Sequence, residues 1–134
     1  MPKRLKILVV DDDEDIRILV SKWLEGSYKV DTAVDGNDCL KKIGKKKYDL
    51  ILLDVMMPGP TGGKLIKKII DKDSEARIIY LTAVEMFKPT PEQQRKGQVP
   101  VLEEHVKGYL LKPVTKEQVI SKIEEVLKLE KLLK

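Results

Sequence analysis

Hydrophobic positions along this chain fall into two alternating patterns. Ile7-Leu8-Val9-Val10, Leu50-Ile51-Leu52-Leu53, Ile78-Ile79-Tyr80-Leu81 and Tyr109-Leu110-Leu111 are short continuous apolar runs, the mark of strands covered on both faces of a parallel sheet. Tyr28 to Ala33 predicts a further short strand. Between the runs the period becomes helical. Ile16, Leu19, Val20, Trp23 and Leu24 define a first helix opened by Asp13, Glu14 and Asp15 and closed by Gly26. Leu40 and Ile43 mark a second, ended at Gly44, and Leu65, Ile66, Ile69 and Ile70 a third. Thr115 and Gln118 form a capping box that opens a last helix with Val119, Ile120, Ile123, Val126 and Leu127 on its core face. Strand and helix alternating five times predict an α/β, doubly wound five-stranded parallel sheet with helices on both faces.

Length and composition narrow this to one domain. With 134 residues, 42% hydrophobic and 36% charged, the chain can bury a proper core, and residues 1–134 read as a single unit with its core at about 5–128. No apolar stretch is long enough to span a bilayer, and Met1-Pro2-Lys3-Arg4 begins no signal peptide. The lone Cys39 has no internal partner, in keeping with a reducing, cytoplasmic location. The formal charge of +4 comes from lysines such as Lys41 to Lys47, Lys64, Lys67, Lys68 and Lys72. These alternate with apolar residues at helical spacing and carry no aromatic stacking platform, so they read as solvated helix faces and no direct nucleic-acid contact is expected.

Chemistry gathers at the ends of the apolar runs. The first ends in Asp11-Asp12, the third strand in Asp54 and the last in Lys112-Pro113. In open sheets of this kind ligands bind beyond the carboxyl ends of the strands, so these four charges should share one crevice. Three carboxylates together favour a hard divalent cation, and an oxygen-only set favours Mg2+ or Mn2+ over zinc. A lysine beside them suits a phosphoryl oxygen. The set suggests phosphoryl transfer onto a carboxylate.

Four strings in register carry a family resemblance. Ile7 to Asp15, Leu53-Asp54-Val55-Met56-Met57-Pro58-Gly59, Leu81-Thr82-Ala83 and Gly108-Tyr109-Leu110-Leu111-Lys112-Pro113 resemble the receiver domain of two-component response regulators. That resemblance implies a flavodoxin-like three-layer sandwich with strand order 2-1-3-4-5. It implies Asp54 as phosphoacceptor, and Mg2+ held by Asp12 and Asp54 directly, by Asp11 directly or through water, and by the backbone carbonyl of Met56. Lys112 would pair with the phosphoryl group, Thr82 would hydrogen-bond to it, and Tyr109 would turn inward in response. A cis peptide is expected between Lys112 and Pro113. The implied partners are a sensor histidine kinase or phosphotransfer protein as donor and a downstream protein as reader, with a homodimer open. The protein would be no enzyme beyond promoting its own phosphorylation and dephosphorylation. Residues 129–134 are too short for an output domain.

The chain also departs from that family. Thr82 and Lys112 are 30 positions apart, and Pro89, Pro91, Gly97 and Pro100 fall where a regular fourth helix is expected. The expectation is an altered loop over Glu85 to Gln98 with at most a short helix beginning near Pro91, a helical turn from Pro100 to Val106, and greatest mobility over Met86 to Val101, which either forms a dedicated partner or dimer contact or is disordered without one. His105-Val106 and Thr61 stand where the family commonly has Gly-Ala and Asp.

Rival readings share the acidic string. An EF-hand loop fails because Ile16 replaces its glycine and Lys22 its bidentate glutamate. A haloacid-dehalogenase-like phosphatase would use Asp11 as nucleophile and Asp13 as general acid, but lacks that family's Thr, where Asp15 stands. Asp13 reads better as a helix cap. His105 is expected at the surface, Cys39 in or near the core, and Trp23 on a packing face.

Overall fold

The computed structural model describes residues 4–54, 62–82 and 105–132. For residues 62, 63, 82 and 129–132 it describes the backbone alone. Its elements are β1 (Lys6–Val10), α1 (Glu14–Leu24), β2 (Lys29–Ala33), α2 (Gly36–Ile43), β3 (Leu50–Leu53), α3 (Gly62–Lys72), β4 (Ile78–Thr82), β5 (Val106–Leu111) and α4 (Lys116–Leu132). The five strands form one parallel sheet in the order β2-β1-β3-β4-β5. This is the expected order, reversing between β1 and β3.

Continuous apolar runs form the central strands because each strand feeds two cores. Successive side chains point to opposite faces, so Leu8, Val10, Ile51, Leu53, Ile78 and Tyr80 pack with Cys39 and Ile43 of α2 and Leu65, Ile66 and Ile69 of α3. Ile7, Val9, Leu50, Leu52, Ile79 and Leu81 pack on the other face with Val20 and Leu24 of α1 and Val119, Ile123 and Val126 of α4. The result is three layers. Leu19 departs from the expected face: it is 44% exposed, because it lies about 100° around the helix from Val20, on the side away from Leu24. Trp23 is half-buried against the second core and Cys39 is fully buried in the first.

Helix starts follow their caps. The Asp13 side chain accepts from the Asp15 N–H, and that of Asp35 from the Asp38 N–H. At α4 the capping box is reciprocal: the Gln118 N–H donates to Thr115 Oγ1 at 3.2 Å and the Thr115 N–H to Gln118 Oε1 at 2.9 Å. Gly26 follows the end of α1 in open space, with the C-cap at Glu25.

The edge strands explain two further differences. β5 alternates covered positions (Val106 and Gly108 half-buried, Leu110 buried) with exposed ones, as an edge with one solvated side does. It begins at Val106, three residues before the apolar run, because Val106 pairs with Ile78 ahead of a bulge at Ile78/Ile79. Val106 is therefore strand rather than the end of a helical turn. The rest of that turn, the loop over Glu85 to Gln98 and the segment Met86 to Val101 lie outside the described residues. His105 is half-buried rather than a surface residue, with Nδ1 3.1 Å from the Ala76 carbonyl. At the opposite edge Lys29 N–H and Ala33 C=O bond toward β1, leaving the backbone N–H and C=O groups of Val30 and Thr32 on the outer side of the strand. The Lys42 ammonium donates to the Thr32 carbonyl, which blunts an otherwise open edge.

Candidate functional site

The site is built where β1, β3 and β5 end. The Asp54 N–H donates to the Val10 carbonyl at 2.9 Å and the Asp11 N–H to the Ala33 carbonyl at 3.1 Å, so the strand ladders hold both carboxylate-bearing residues one step beyond the strands. Asp11 is wholly buried, Asp54 is 4% exposed and Asp12 is exposed. Oxygens of these three carboxylates lie within 4.8 Å of one another, and they are the one such group of potential metal ligands among the described residues.

Lys112 enters from the end of β5. Its Nζ lies 2.7 Å from Asp11 Oδ2 and 3.4 Å from Asp54 Oδ2, with the side chain 18% exposed. The Lys112–Pro113 peptide is cis, as expected. Burial alone would depress the Lys112 pKa, but its hydrogen bond to Asp11, the Asp11 charge and then Asp54 outweigh that and raise it above the usual lysine value. The ammonium therefore stays charged at neutral pH.

The donor set fits a hard divalent cation. Three convergent carboxylates and one ammonium carry a formal excess that a single doubly charged ion cancels, and oxygen-only ligands with no His or Cys suit Mg2+. Asp13 is not part of this set. Its Oδ1 caps α1, while its N–H donates to Asp11 Oδ1 at 3.0 Å. The Thr82 backbone ends β4, beyond Tyr80, which pairs with Tyr109 in register; the Tyr109 residue is 47% exposed. The Thr82 side chain and the Met56 carbonyl lie outside the described part of the site.

One contact was missed in the sequence. Arg17 Nη1 donates to the Asp11 carbonyl at 2.7 Å. Its only signal was a cation one turn into α1, just after the acidic string.

The architecture and this site place the chain among known proteins. It belongs to the response regulator receiver domain family, whose pattern matches residues 7–124, and it is a receiver domain of two-component signalling. Among curated relatives, the transcriptional regulatory protein ResD of Bacillus subtilis is 35% identical over 124 residues, which cover 92% of this chain and 48% of ResD. The first curated relatives are about twice this chain's length or longer. Among solved structures, the response regulator protein TrrA of Thermotoga maritima, in complex with Mg2+-BeF, matches with a TM-score of 0.73 and 32% identity over 91% of this chain and 98% of that one. A CheY-like receiver domain protein of Methanospirillum hungatei matches with a TM-score of 0.79 and 27% identity over 96% and 98% of the two chains. Receiver domains take their phosphoryl group from sensor histidine kinases, and phosphorylation with Mg2+ binding is typical of the family. Nothing supports the phosphatase alternative. No helix among the described residues is long and apolar enough to cross a membrane.

Proposed function

We propose that Asp54 is the phosphoacceptor of this receiver domain and that Asp11, Asp12 and Lys112 serve it. The observation that supports this is the convergence of Asp11, Asp12 and Asp54, with ligand oxygens within 4.8 Å, on an ammonium that reaches two of them. A carboxylate oxygen of Asp54 attacks phosphorus in line; the P–N bond of a phosphohistidine donor breaks as the O–P bond forms, and its electron pair leaves with the imidazole. Asp12, Asp54 and the Met56 carbonyl would hold Mg2+ directly, and Asp11 directly or through water, with Mn2+ as a substitute. When bound, such an ion would supply positive charge against the phosphoryl oxygens. Lys112 shifts from the carboxylates to a phosphoryl oxygen as that charge arrives.

The product adds about −1.5 to −2 charges beside Lys112 and near the end of β4. The Thr82 hydroxyl donates a hydrogen bond to the phosphoryl group, Tyr109 turns inward, and the face around β5 and α4 shifts population. The donor is a sensor histidine kinase or phosphotransfer protein. A downstream protein, or a second copy of the chain, reads the altered face. The chain speeds its own phosphorylation and dephosphorylation and acts in the cytoplasm, and residues 5–128 form the working unit.

The test is covalent. With Mg2+ and acetyl phosphate the chain should gain one acid-stable, hydroxylamine-labile phosphoryl group by mass spectrometry, and Asp54→Asn should abolish it. A label that survives Asp54→Asn assigns the acceptor elsewhere.

A further inference from the structure

Asp11 is held at every polar group. Its N–H bonds to Ala33 and its Oδ1 takes the Asp13 N–H, while Oδ2 takes Lys112. Its carbonyl takes the Arg17 guanidinium at 2.7 Å. Asp12 differs. Among the described residues no hydrogen bond or ion pair holds its exposed carboxylate, so its placement depends on the two peptides that flank it: the Asp12–Asp13 peptide, whose N–H rests on Asp11 Oδ1 at 3.0 Å, and the one that joins it to Asp11. Arg17 is the group that fixes the oxygen of that peptide. Arg17 is itself anchored, because its N–H closes the first turn of α1 on the Asp13 carbonyl at 3.1 Å and Asp13 caps the helix.

We infer that Arg17 is a positioning residue for the divalent cation site: by clamping the Asp11 carbonyl it orients the Asp11–Asp12 peptide, and with it the Asp12 ligand. The inference rests on the proposed reading of Asp11, Asp12 and Asp54 as the Mg2+ ligands. It has a distinctive sign. A cation beside a cation site repels its occupant, so if charge alone mattered, removing Arg17 would tighten Mg2+ binding. A clamp predicts the opposite, and loss of a group that orients metal ligands typically weakens affinity about 10- to 100-fold.

Isothermal titration of the metal-free full chain with MgCl2 separates these outcomes, with unfolding measured in parallel without Mg2+. Arg17→Met should raise the Mg2+ dissociation constant about tenfold or more. Arg17→Lys, which keeps a donor and the charge, should fall between Met and the parent. A dissociation constant for Arg17→Met equal to or below the parent's overturns the inference, even where stability falls. Should the Met variant fail to fold, Arg17→Lys carries the test: parent-like binding overturns the proposal and weaker binding supports it. A parent chain that takes up no Mg2+ overturns the reading of the site itself, and the inference with it.

Discussion

The Lys112 ammonium lies 2.7 Å from the Asp11 carboxylate, although the two residues are 101 positions apart. It lies farther, 3.4 Å, from Asp54. The nearer partner of the lysine is thus a proposed cation ligand rather than the proposed acceptor. This pairing offsets the desolvation of a carboxylate that is wholly buried. It leaves the lysine free to change partners once a divalent cation takes over that charge.

Lys112→Met should therefore act first on stability. It strands Asp11 as a buried charge without its ion-pair partner, a change that costs about 3–5 kcal/mol. Saturating Mg2+ should recover more stability in the variant than in the parent, because the ion replaces the missing positive charge. Denaturant unfolding with and without Mg2+ checks this. An equal Mg2+ effect in both chains would remove Lys112 from the electrostatics of the site.

Asp13 carries a smaller and separate load. Its side chain caps α1, and replacing such a cap with alanine costs about 1 kcal/mol. Asp13→Ala should lower the unfolding free energy by that amount while Asp54 still takes up phosphate from acetyl phosphate. Loss of labelling in a folded Asp13→Ala would show that this residue does more than start the helix.

Stability should fall on the alkaline side. Burial, with the Asp38 charge, pushes the Cys39 thiol from its ordinary 9.0 to about 12. Burial raises Tyr80, and burial with the Asp31 hydrogen bond raises Tyr48. Lys112 is also raised on balance, since its two carboxylate partners outweigh burial. A group whose folded pKa is raised gives stability that is full below its unfolded pKa and lost as pH rises through the folded one. Stability should decline from about pH 9 upward. Comparing unfolding midpoints at pH 8 and pH 10, Cys39→Ala should show a smaller loss than the parent. An unchanged loss would mean that the buried thiol contributes nothing. Asp31 runs the other way. Its pKa is lowered, first by the Tyr48 hydrogen bond, so its share is present above the unfolded pKa and lost as pH falls through the folded one.

The sequence showed the central sheet plainly because β1 and β3 are buried on both faces, and such strands leave continuous apolar runs. Asp11, Asp12, Asp54 and Lys112 were legible for a related reason: charge directly after an apolar run marks a strand's end, and parallel strands bring their ends together. The edges were less legible. β5 is solvated on one side, so Val106 and Lys107 gave no apolar run and its start was missed. Leu19 was misplaced because periodicity records spacing without showing how wide a stripe the sheet and α4 can cover. The Arg17 contact left no signal beyond a cation one turn into α1, since a side chain bound to a backbone carbonyl leaves no mark on the residue it holds.

The proposed switch gives Tyr109 a measurable starting point. The residue is 47% exposed on β5, in register with the buried Tyr80. Phosphorylation of Asp54 should reduce the accessibility of Tyr109, detected as slower chemical modification of that ring and as changed chemical shifts of β5. Thr82 stands at the end of the neighbouring strand, and its hydroxyl is the proposed group that senses the phosphoryl oxygen. Thr82→Ala should still accept phosphate, because Asp54 and its acidic neighbours are untouched, but Tyr109 should remain about as reactive as in the unphosphorylated parent. Equal protection of Tyr109 in phosphorylated parent and phosphorylated Thr82→Ala would remove Thr82 from the coupling while leaving Asp54 as the acceptor.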